Sequence, residues 1–244
     1  MVQREGSAGK ILAVDIGGSG LKAALIDRRG RMLTTRVRVK TPHPSPPRVL
    51  VRALGQLVKP LGVDGSVLGV SVGFPGVVRG GVVHTAPNLG TEQWRGFDLA
   101  RVLSMLWKKP VRVVNDADMQ GLGAARGKGV EVVITLGTGF GTAILADGRL
   151  APHLEISHIP FRKGETYEQQ LGQAARKQVG NKRWNRRVAR ALEALRTLTN
   201  FDALYVGGGN ARHLDLDLPS DVRVIANEYG MRGGAKLWQD ELTA

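Results

Sequence analysis

The chain contains no cysteine. That excludes disulfides and thiolate metal ligands, and it suits a reducing compartment. Aromatic residues make up only 5%, few for a protein that stacks on unpaired bases, and no RNA-recognition or zinc-finger spacing occurs. No apolar run approaches the roughly 18 residues of a membrane-spanning helix, so no membrane partner is expected. Residues 1–10 are polar and lack an apolar signal region, which makes a cytoplasmic location the expectation. Acidic residues are in deficit, with 21 Asp and Glu against 35 Lys and Arg, a formal charge of +14 over 244 residues. Such a balance suits a nucleic acid, an anionic membrane surface or a phosphate polymer, or a basic surface with no single partner. Glycine, in contrast, is abundant at 33 residues, about twice its usual share. The excess points to tight turns and to backbone close to a ligand. The length allows one large domain or two small ones.

The chain repeats once. Residues 11–26 (ILAVDIGGSGLKAALI) and 132–145 (VVITLGTGFGTAIL) both read as strand, glycine turn, strand. A shift of 120 aligns Gly17 with Gly137, Ala23 with Ala143, Leu25 with Leu145 and Asp27 with Asp147. Two related halves are expected, each opening with a β-hairpin of the same length. Elsewhere strands and helices alternate, the pattern of an α/β fold. Helical spacing covers 48–61, 99–107 with Asp98 as N-cap, 119–126, 168–199 with a break near Gly180, and 232–242. Strands are expected at 67–73, 81–84, 111–114, 203–206 and 222–225, and a loop at 85–96.

Asp15, Gly17, Gly18, Ser19, Gly20 and Lys22 form the first glycine turn. It is neither a Walker loop nor a dinucleotide fingerprint, since a strand follows it. Alone it is an ordinary hairpin turn, but together with Gly137, Thr138 and Gly139 it suggests two loops facing one ligand, with backbone N–H groups near phosphate. A third loop carrying Gly208 and Gly209 follows a strand and precedes an expected helix, whose N-terminus would attract an anion. Asn115 and Asp116 lie where a strand ends. There Asp116 is either a base for a substrate hydroxyl or a helix cap, a role Asp118 fits equally. Glu155 and His158, three apart, either aim at a polyol or are surface groups; the metal alternative lacks ligands.

Taken together these segments resemble the ROK sugar kinases of the actin-like and hexokinase-like superfamily, and among them the polyphosphate glucokinase branch. The likeness runs from about residue 11 to 238. It rests on DIGGSGLK at 15–22, VGFPGVV at 72–78, APNLGTEQW at 86–94, NDAD at 115–118, LGTGFGTA at 136–143 and VGGGN at 206–210. The resemblance implies two ribonuclease H-like α/β domains with an interdomain cleft. These would be residues 1–116 and 117–230, with the last helix, about 231–244, packing back on the first. It implies Asp116 as general base on the sugar 6-hydroxyl. Asn88, Asn115, Glu155, His158 and Glu168 would bind the sugar. Asp15 would hold Mg²⁺ through water. The donor would be cradled by Gly17, Gly18, Ser19, Gly20, Lys22, Gly137, Thr138, Gly139, Gly208 and Gly209. The implied partners are glucose or a related hexose and polyphosphate and/or ATP, in a homodimer. Alternatives are an ATP-dependent kinase of mannose or fructose, and a non-catalytic sugar- or polyanion-binding protein.

Two departures from the family pattern stand out. Ser157 replaces the glycine of the usual Glu-x-Gly-His, and IPFRKGETY at 159–167 occupies the place of a cysteine-rich zinc motif. Polyphosphate glucokinases also lack that motif. The ten residues before the first strand leave no room for the DNA-binding module of the family's regulators, so no nucleic-acid partner is expected. The basic run 176–196 puts Arg183, Arg187 and Arg190 on one helical face, with Val188, Leu192 and Leu195 on another. Lys108, Lys109, Arg162 and Lys163 would extend a polyphosphate track if they converge on it.

Overall fold

The computed structural model describes residues 9–226 and 229–239. They divide into two units. Unit 1 takes the described residues up to Met119 and from Gly230 onward, and unit 2 those from Gln120 to Tyr229.

In unit 1, β1 (Lys10–Ile16) and β2 (Gly20–Ile26) form the first hairpin, and β3 (Val37–Lys40) continues the antiparallel run. After α1 (Pro47–Val58), β4 (Val67–Phe74) lies parallel to β1. A small hairpin of β5 (Val78–Arg79) and β6 (Val82–Val83) follows, then α2 (Thr91–Trp94) and α3 (Leu99–Trp107). Next, β7 (Val111–Asn115) pairs parallel with β4 and leads directly into α4 (Asp116–Ala124). The sheet order is β3-β2-β1-β4-β7. Both faces of β1 are covered. Leu12, Val14 and Ile16 pack with Leu50, Leu54 and Leu103 of the helices on one side. Ile11 and Ala13 pack with Met231, Ala235 and Trp238 on the other. A strand buried on two faces reads as a continuous apolar run, which is why 11–16 does not alternate.

Unit 2 repeats this plan. The second hairpin is β8 (Val130–Leu136) with β9 (Phe140–Ala146), extended by β10 (Arg149–Leu150). A second small hairpin, β11 (Pro160–Arg162) with β12 (Glu165–Thr166), precedes α5 (Tyr167–Leu171) and α6 (Gln173–Thr199). The parallel strands β13 (Ala203–Gly207) and β14 (Val222–Val224) complete the order β10-β9-β8-β13-β14. Val132, Ile134 and Leu136 of β8 pack with Trp184, Val188 and Leu192 of α6. The last helix, α7 (Tyr229–Lys236), carries Met231 and Ala235 to the β1–β2 hairpin. There Trp238 Nε1 donates to Ser71 Oγ at 2.8 Å, and Ser71 Oγ donates to the Gly234 carbonyl at 2.6 Å. Gly69 is open beneath the Trp238 ring, where a Cβ would come within 2.6 Å.

The strands β8 and β9 sit 120 residues after β1 and β2, end to end. The hairpins nevertheless differ by one residue in pairing. Ile16 faces Leu21 across four loop residues, whereas Leu136 faces Phe140 across three. The expected equal length fails because the first loop closes from Gly17 N–H to the Gly20 carbonyl and the second from Gly137 N–H to the Gly139 carbonyl.

Other boundaries move for local reasons. The expected helix at 119–126 begins instead at Asp116, because the Asn115 side-chain oxygen accepts from the N–H groups of Ala117 (2.8 Å) and Asp118 (3.3 Å). It ends at Ala124, beyond which the N–H groups of Arg126, Gly127 and Lys128 turn to the Glu131 carboxylate. The loop expected at 85–96 contains α2. The expected helix after Gly209 is a single 3-10 turn, Ala211–His213. The break at Gly180 is present, with φ 75° and ψ 160° inside α6. Of the helix expected at 232–242, residues 240–242 lie outside the described residues, as do 1–8 of the polar start.

Candidate functional site

In unit 1 the candidate residues gather at the C-terminal ends of β4 and β7 and at the first glycine loop. This is the edge of an open α/β sheet where ligands bind. Asp116 occupies the first turn of α4 immediately after β7. The Asn115 side chain accepts two N–H groups of the first turn of that helix, the cap role that the sequence offered to Asp116 or Asp118. One oxygen of Asp116 accepts the N–H of Ala117 at 2.9 Å. Gly73 of β4 makes the position possible, since a Cβ there would lie 3.2 Å from Asp116 Cα.

Asn115 Nδ2 donates to the Gly76 carbonyl at 3.1 Å, tying the 72–78 loop to the start of α4 and leaving one amide hydrogen unassigned. Gly76 in turn abuts the Thr85 carbonyl, where a Cβ would come within 2.1 Å. Asn88, exposed on the next loop, approaches Gly18, with its Cβ 3.3 Å from where a Gly18 Cβ would stand. Asp116, Asn115, Asn88 and Gly18 thus share one chain of contacts.

Asp15 and Lys22 face each other across the hairpin, and Lys22 Nζ donates to Asp15 Oδ2 at 2.6 Å. The second copy has Thr135 and Thr142 at the matching positions, so the charge belongs to the first loop alone. Thr41 and His43 were not foreseen. Thr41 Oγ1 donates to the Gly17 carbonyl at 2.6 Å, and His43 Nε2 lies 2.9 Å from the Gly18 carbonyl. Their engagement of the carbonyls fixes the loop's orientation, a role that falls on a proline-rich stretch with no motif of its own.

In unit 2 a second group assembles. Glu155 accepts from Ser157 Oγ at 3.0 Å and has His153 Nε2 at 3.4 Å and His158 Nε2 at 3.5 Å. His158 Nδ1 lies 4.0 Å from Glu168 Oε2. The 3-10 turn Ile156–His158 brings Glu155 and His158 together, and Ser157 at the family's glycine position contributes a hydrogen bond to the same carboxylate. Glu168, on α5, packs over Gly139, where a Cβ would come within 3.0 Å of its carboxylate.

The two carboxyl groups are driven apart. Burial raises both, but hydrogen bonds from His153 and Ser157 hold Glu155 below the ordinary carboxylate range. Burial raises Glu168, only partly offset by His158, and the charge of Glu155 adds to the rise. Glu155 is therefore a fixed acceptor, and Glu168 takes up a proton more readily.

The second and third glycine loops meet. The Gly137 carbonyl accepts from Asn210 Nδ2 at 2.8 Å and from the Gln173 N–H at 3.1 Å. Gly208 has φ 89° and lies so near Leu136 that a Cβ would fall 2.4 Å from its carbonyl oxygen. The helix start beside these loops is that of α6, and its first N–H is engaged by the Gly137 and Thr138 carbonyls. The structure thus sets Gly139 against Glu168, with Gly137 and Thr138 in the same loop and Gly208 against Leu136 at its start.

On the sugar-binding role that the resemblance implies for it, Glu155→Gln is expected to raise the KM for a hexose by about 10- to 100-fold, since hydrogen bonds to charged groups contribute about 1.5–3 kcal/mol. Steady-state kinetics against hexose concentration would check this; an unchanged KM would remove Glu155 from the sugar contacts.

Comparison with known proteins is specific. Residues 11–162 match the model of the ROK family. Polyphosphate glucokinase of Mycobacterium leprae is 32% identical over 84% of this chain, which spans 65% of that protein's length, just under two thirds. Polyphosphate glucokinase of Mycobacterium tuberculosis is 33% identical over 84% of this chain and 80% of its own. Among solved structures, the inorganic polyphosphate/ATP-glucomannokinase of Arthrobacter sp. strain KM superposes with a TM-score of 0.84 at 30% identity. That match covers 96% of this chain and 99% of the other.

Proposed function

The chain belongs to the ROK family, with its actin-like and hexokinase-like fold, and from that premise we propose that it phosphorylates glucose on its 6-hydroxyl with inorganic polyphosphate and/or ATP as donor. The observation that carries this is the near-complete likeness to the Arthrobacter polyphosphate/ATP-glucomannokinase.

Phosphoryl transfer asks a protein for positioning and charge stabilisation more than for covalent chemistry. Glu155, held ionised, accepts hydrogen bonds from sugar hydroxyls. His158, Glu168, Asn88 and the remaining Asn115 amide hydrogen complete the sugar contacts. Asp116 accepts the proton of the 6-hydroxyl as its oxygen bonds to phosphorus. The bridging P–O bond of the donor breaks, and the shortened donor leaves with that electron pair. The N–H groups of the loops at 17–20 and 137–139, with Gly208 and Gly209 beside the second, stabilise the phosphoryl oxygens.

Kinases of this type use a divalent metal. Asp15 fits one: it is a partly exposed, hard carboxylate paired with Lys22, and Mg²⁺ is commonly bound through one or two carboxylates, waters and substrate phosphates. Asp15 would hold Mg²⁺ through water, with Lys22 beside it to meet the donor. When bound, the ion supplies neutralisation of phosphate charge.

One assay tests the proposal: the purified chain with a panel of hexoses, and with ATP against long-chain polyphosphate. Glucose is expected to give the highest kcat/KM, and polyphosphate to support turnover. Turnover with ATP alone would refute the polyphosphate donor, and preference for mannose or fructose would refute glucose as the principal acceptor.

A further inference from the structure

Unit 2 contains a cavity of about 830 Å³ between the β11–β12 hairpin and α6. Arg162 and Lys163 line it from the hairpin, and Arg183, Arg186, Arg187 and Arg190 from α6. These two groups stand some twenty residues apart in sequence. The hairpin is tied to α5, the helix just before α6, by the Phe161 ring, tilted against Tyr167 with centroids 4.4 Å apart, and by the hydrogen bond from Gln170 Nε2 to Glu165.

Among the described lining residues Glu165 is the one carboxylate against six cations. Arg187 shows the consequence: burial first, then the charges of Arg162 and Arg183, hold its guanidinium below the usual value. Its Nη1 donates to the Gln170 carbonyl at 3.2 Å, but its Nε is buried with no partner among the described residues. Like charges gathered in a cavity form a site of high potential that a polyanion relieves. Not every cation of the run belongs to it. Arg196 is paired with Asp221 at 2.6 and 3.0 Å and lies over the Phe201 ring.

Two features narrow the ligand. No aromatic ring is among the described lining residues, so nothing there offers a stacking platform for bases, as single-stranded nucleic acid requires. The stretch of α6 before the break at Gly180 starts at the second glycine loop, where the Gln173 N–H holds the Gly137 and Thr138 carbonyls. Its Gln178 and Val179 line the cavity, about 7–9 Å along the helix from Gln173 at 1.5 Å per residue. We propose that this cavity docks the distal part of an inorganic polyphosphate chain whose terminal phosphoryl group lies at the Gly137, Thr138 and Gly139 loop. The proposal rests on polyphosphate being a donor.

The test compares the full chain with an Arg183→Gln/Arg186→Gln/Arg190→Gln variant, and with Lys163→Asn on the opposite wall in case the triple variant does not fold. Long-chain polyphosphate binding is measured by calorimetry, and turnover with long-chain polyphosphate and with ATP across a salt series. The triple variant should bind polyphosphate at least tenfold more weakly and raise its KM to match, with ATP kinetics within twofold of wild type. By analogy with nucleic acid, the slope of log affinity against log salt should shrink by about 2–3 for three lost charges. Lys163→Asn should weaken polyphosphate binding about threefold. Unchanged polyphosphate binding and salt slope in a folded variant would overturn the proposal, as would equal displacement of polyphosphate by oligouridylate of matched charge. Should wild type turn over ATP only, the donor assignment fails separately. The binding comparison then decides the cavity: loss in the variants sustains it as a polyphosphate site, and no loss removes it.

Discussion

Asp116→Asn is expected to lower kcat by about 10²- to 10⁴-fold, the usual contribution of a positioned general base. The amide has nearly the shape of the carboxylate. The cap of α4 comes from Asn115, and the space at Gly73 stays as it is, so the helix start should survive. Glucose binding should persist within about threefold, because the loss falls on an interaction made in the transition state and not in the ground state. Stopped-time assays at saturating donor, beside calorimetric glucose binding, separate the two effects. A variant with near wild-type turnover would end the assignment of Asp116 as base. One that no longer binds glucose would reassign Asp116 to sugar binding.

Glu131→Ala should be among the most destabilising single changes in unit 2. Glu131 is 1% exposed. Its carboxylate accepts from the N–H groups of Arg126 (2.7 Å), Gly127 (2.7 Å) and Lys128 (3.3 Å) and from the Tyr205 hydroxyl (2.9 Å). Removing it leaves the buried Tyr205 hydroxyl without its acceptor and frees the N–H groups of the exposed turn at 126–128, a loss of about 2–4 kcal/mol, read as a lower urea midpoint with an unchanged slope. Tyr205→Phe removes only one donor and should cost about 1–2 kcal/mol.

The pair also sets a pH signature. Burial would raise Glu131, but the Arg126 and Gly127 N–H groups and the Tyr205 hydroxyl bring it below the ordinary value. Its contribution is therefore present above the unfolded value near 4.5 and is lost as pH falls through the folded one. Tyr205, buried and bonded to Glu131, is pushed up to about 12 from 10.0. Its contribution holds below pH 10 and disappears as pH rises toward 12. Denaturation at high pH should lose this step in Tyr205→Phe; an identical alkaline limb in that variant would show that Tyr205 does not cause it.

The doubled hairpin was legible because glycine turns and apolar runs are local signals, and a shift of 120 aligns them. The one-residue difference in pairing was not, because it depends on which carbonyl closes each loop. The cap at Asp98 reads directly from sequence, and Asp98 Oδ1 does accept the Arg101 N–H at 2.9 Å. Asn115 was read as a sugar ligand, whereas most of its hydrogen-bonding capacity holds Gly76 and the start of α4. Thr41 and His43 carry no pattern, since they act on carbonyls 24 and 25 residues away. The helical face of Arg183, Arg187 and Arg190 followed from spacing. Its meeting with Arg162 and Lys163 did not, because the path of a loop between elements is set by packing such as that of Phe161 on Tyr167.

The apolar underside of β1 and β2, formed by Ile11, Ala13, Ala24 and Ile26, is covered by Met231, Ala235 and Trp238. A ribosome makes the covered surface first and its cover more than 200 residues later. Throughout that interval the nascent first sheet presents a bare, pleated apolar face, the kind of surface that chaperones hold and aggregates nucleate on. The strands of unit 2, all encoded between the two, have no such wait. Unit 1 therefore closes only once Met231, Ala235 and Trp238 have been made and have reached Ser71 and Gly69.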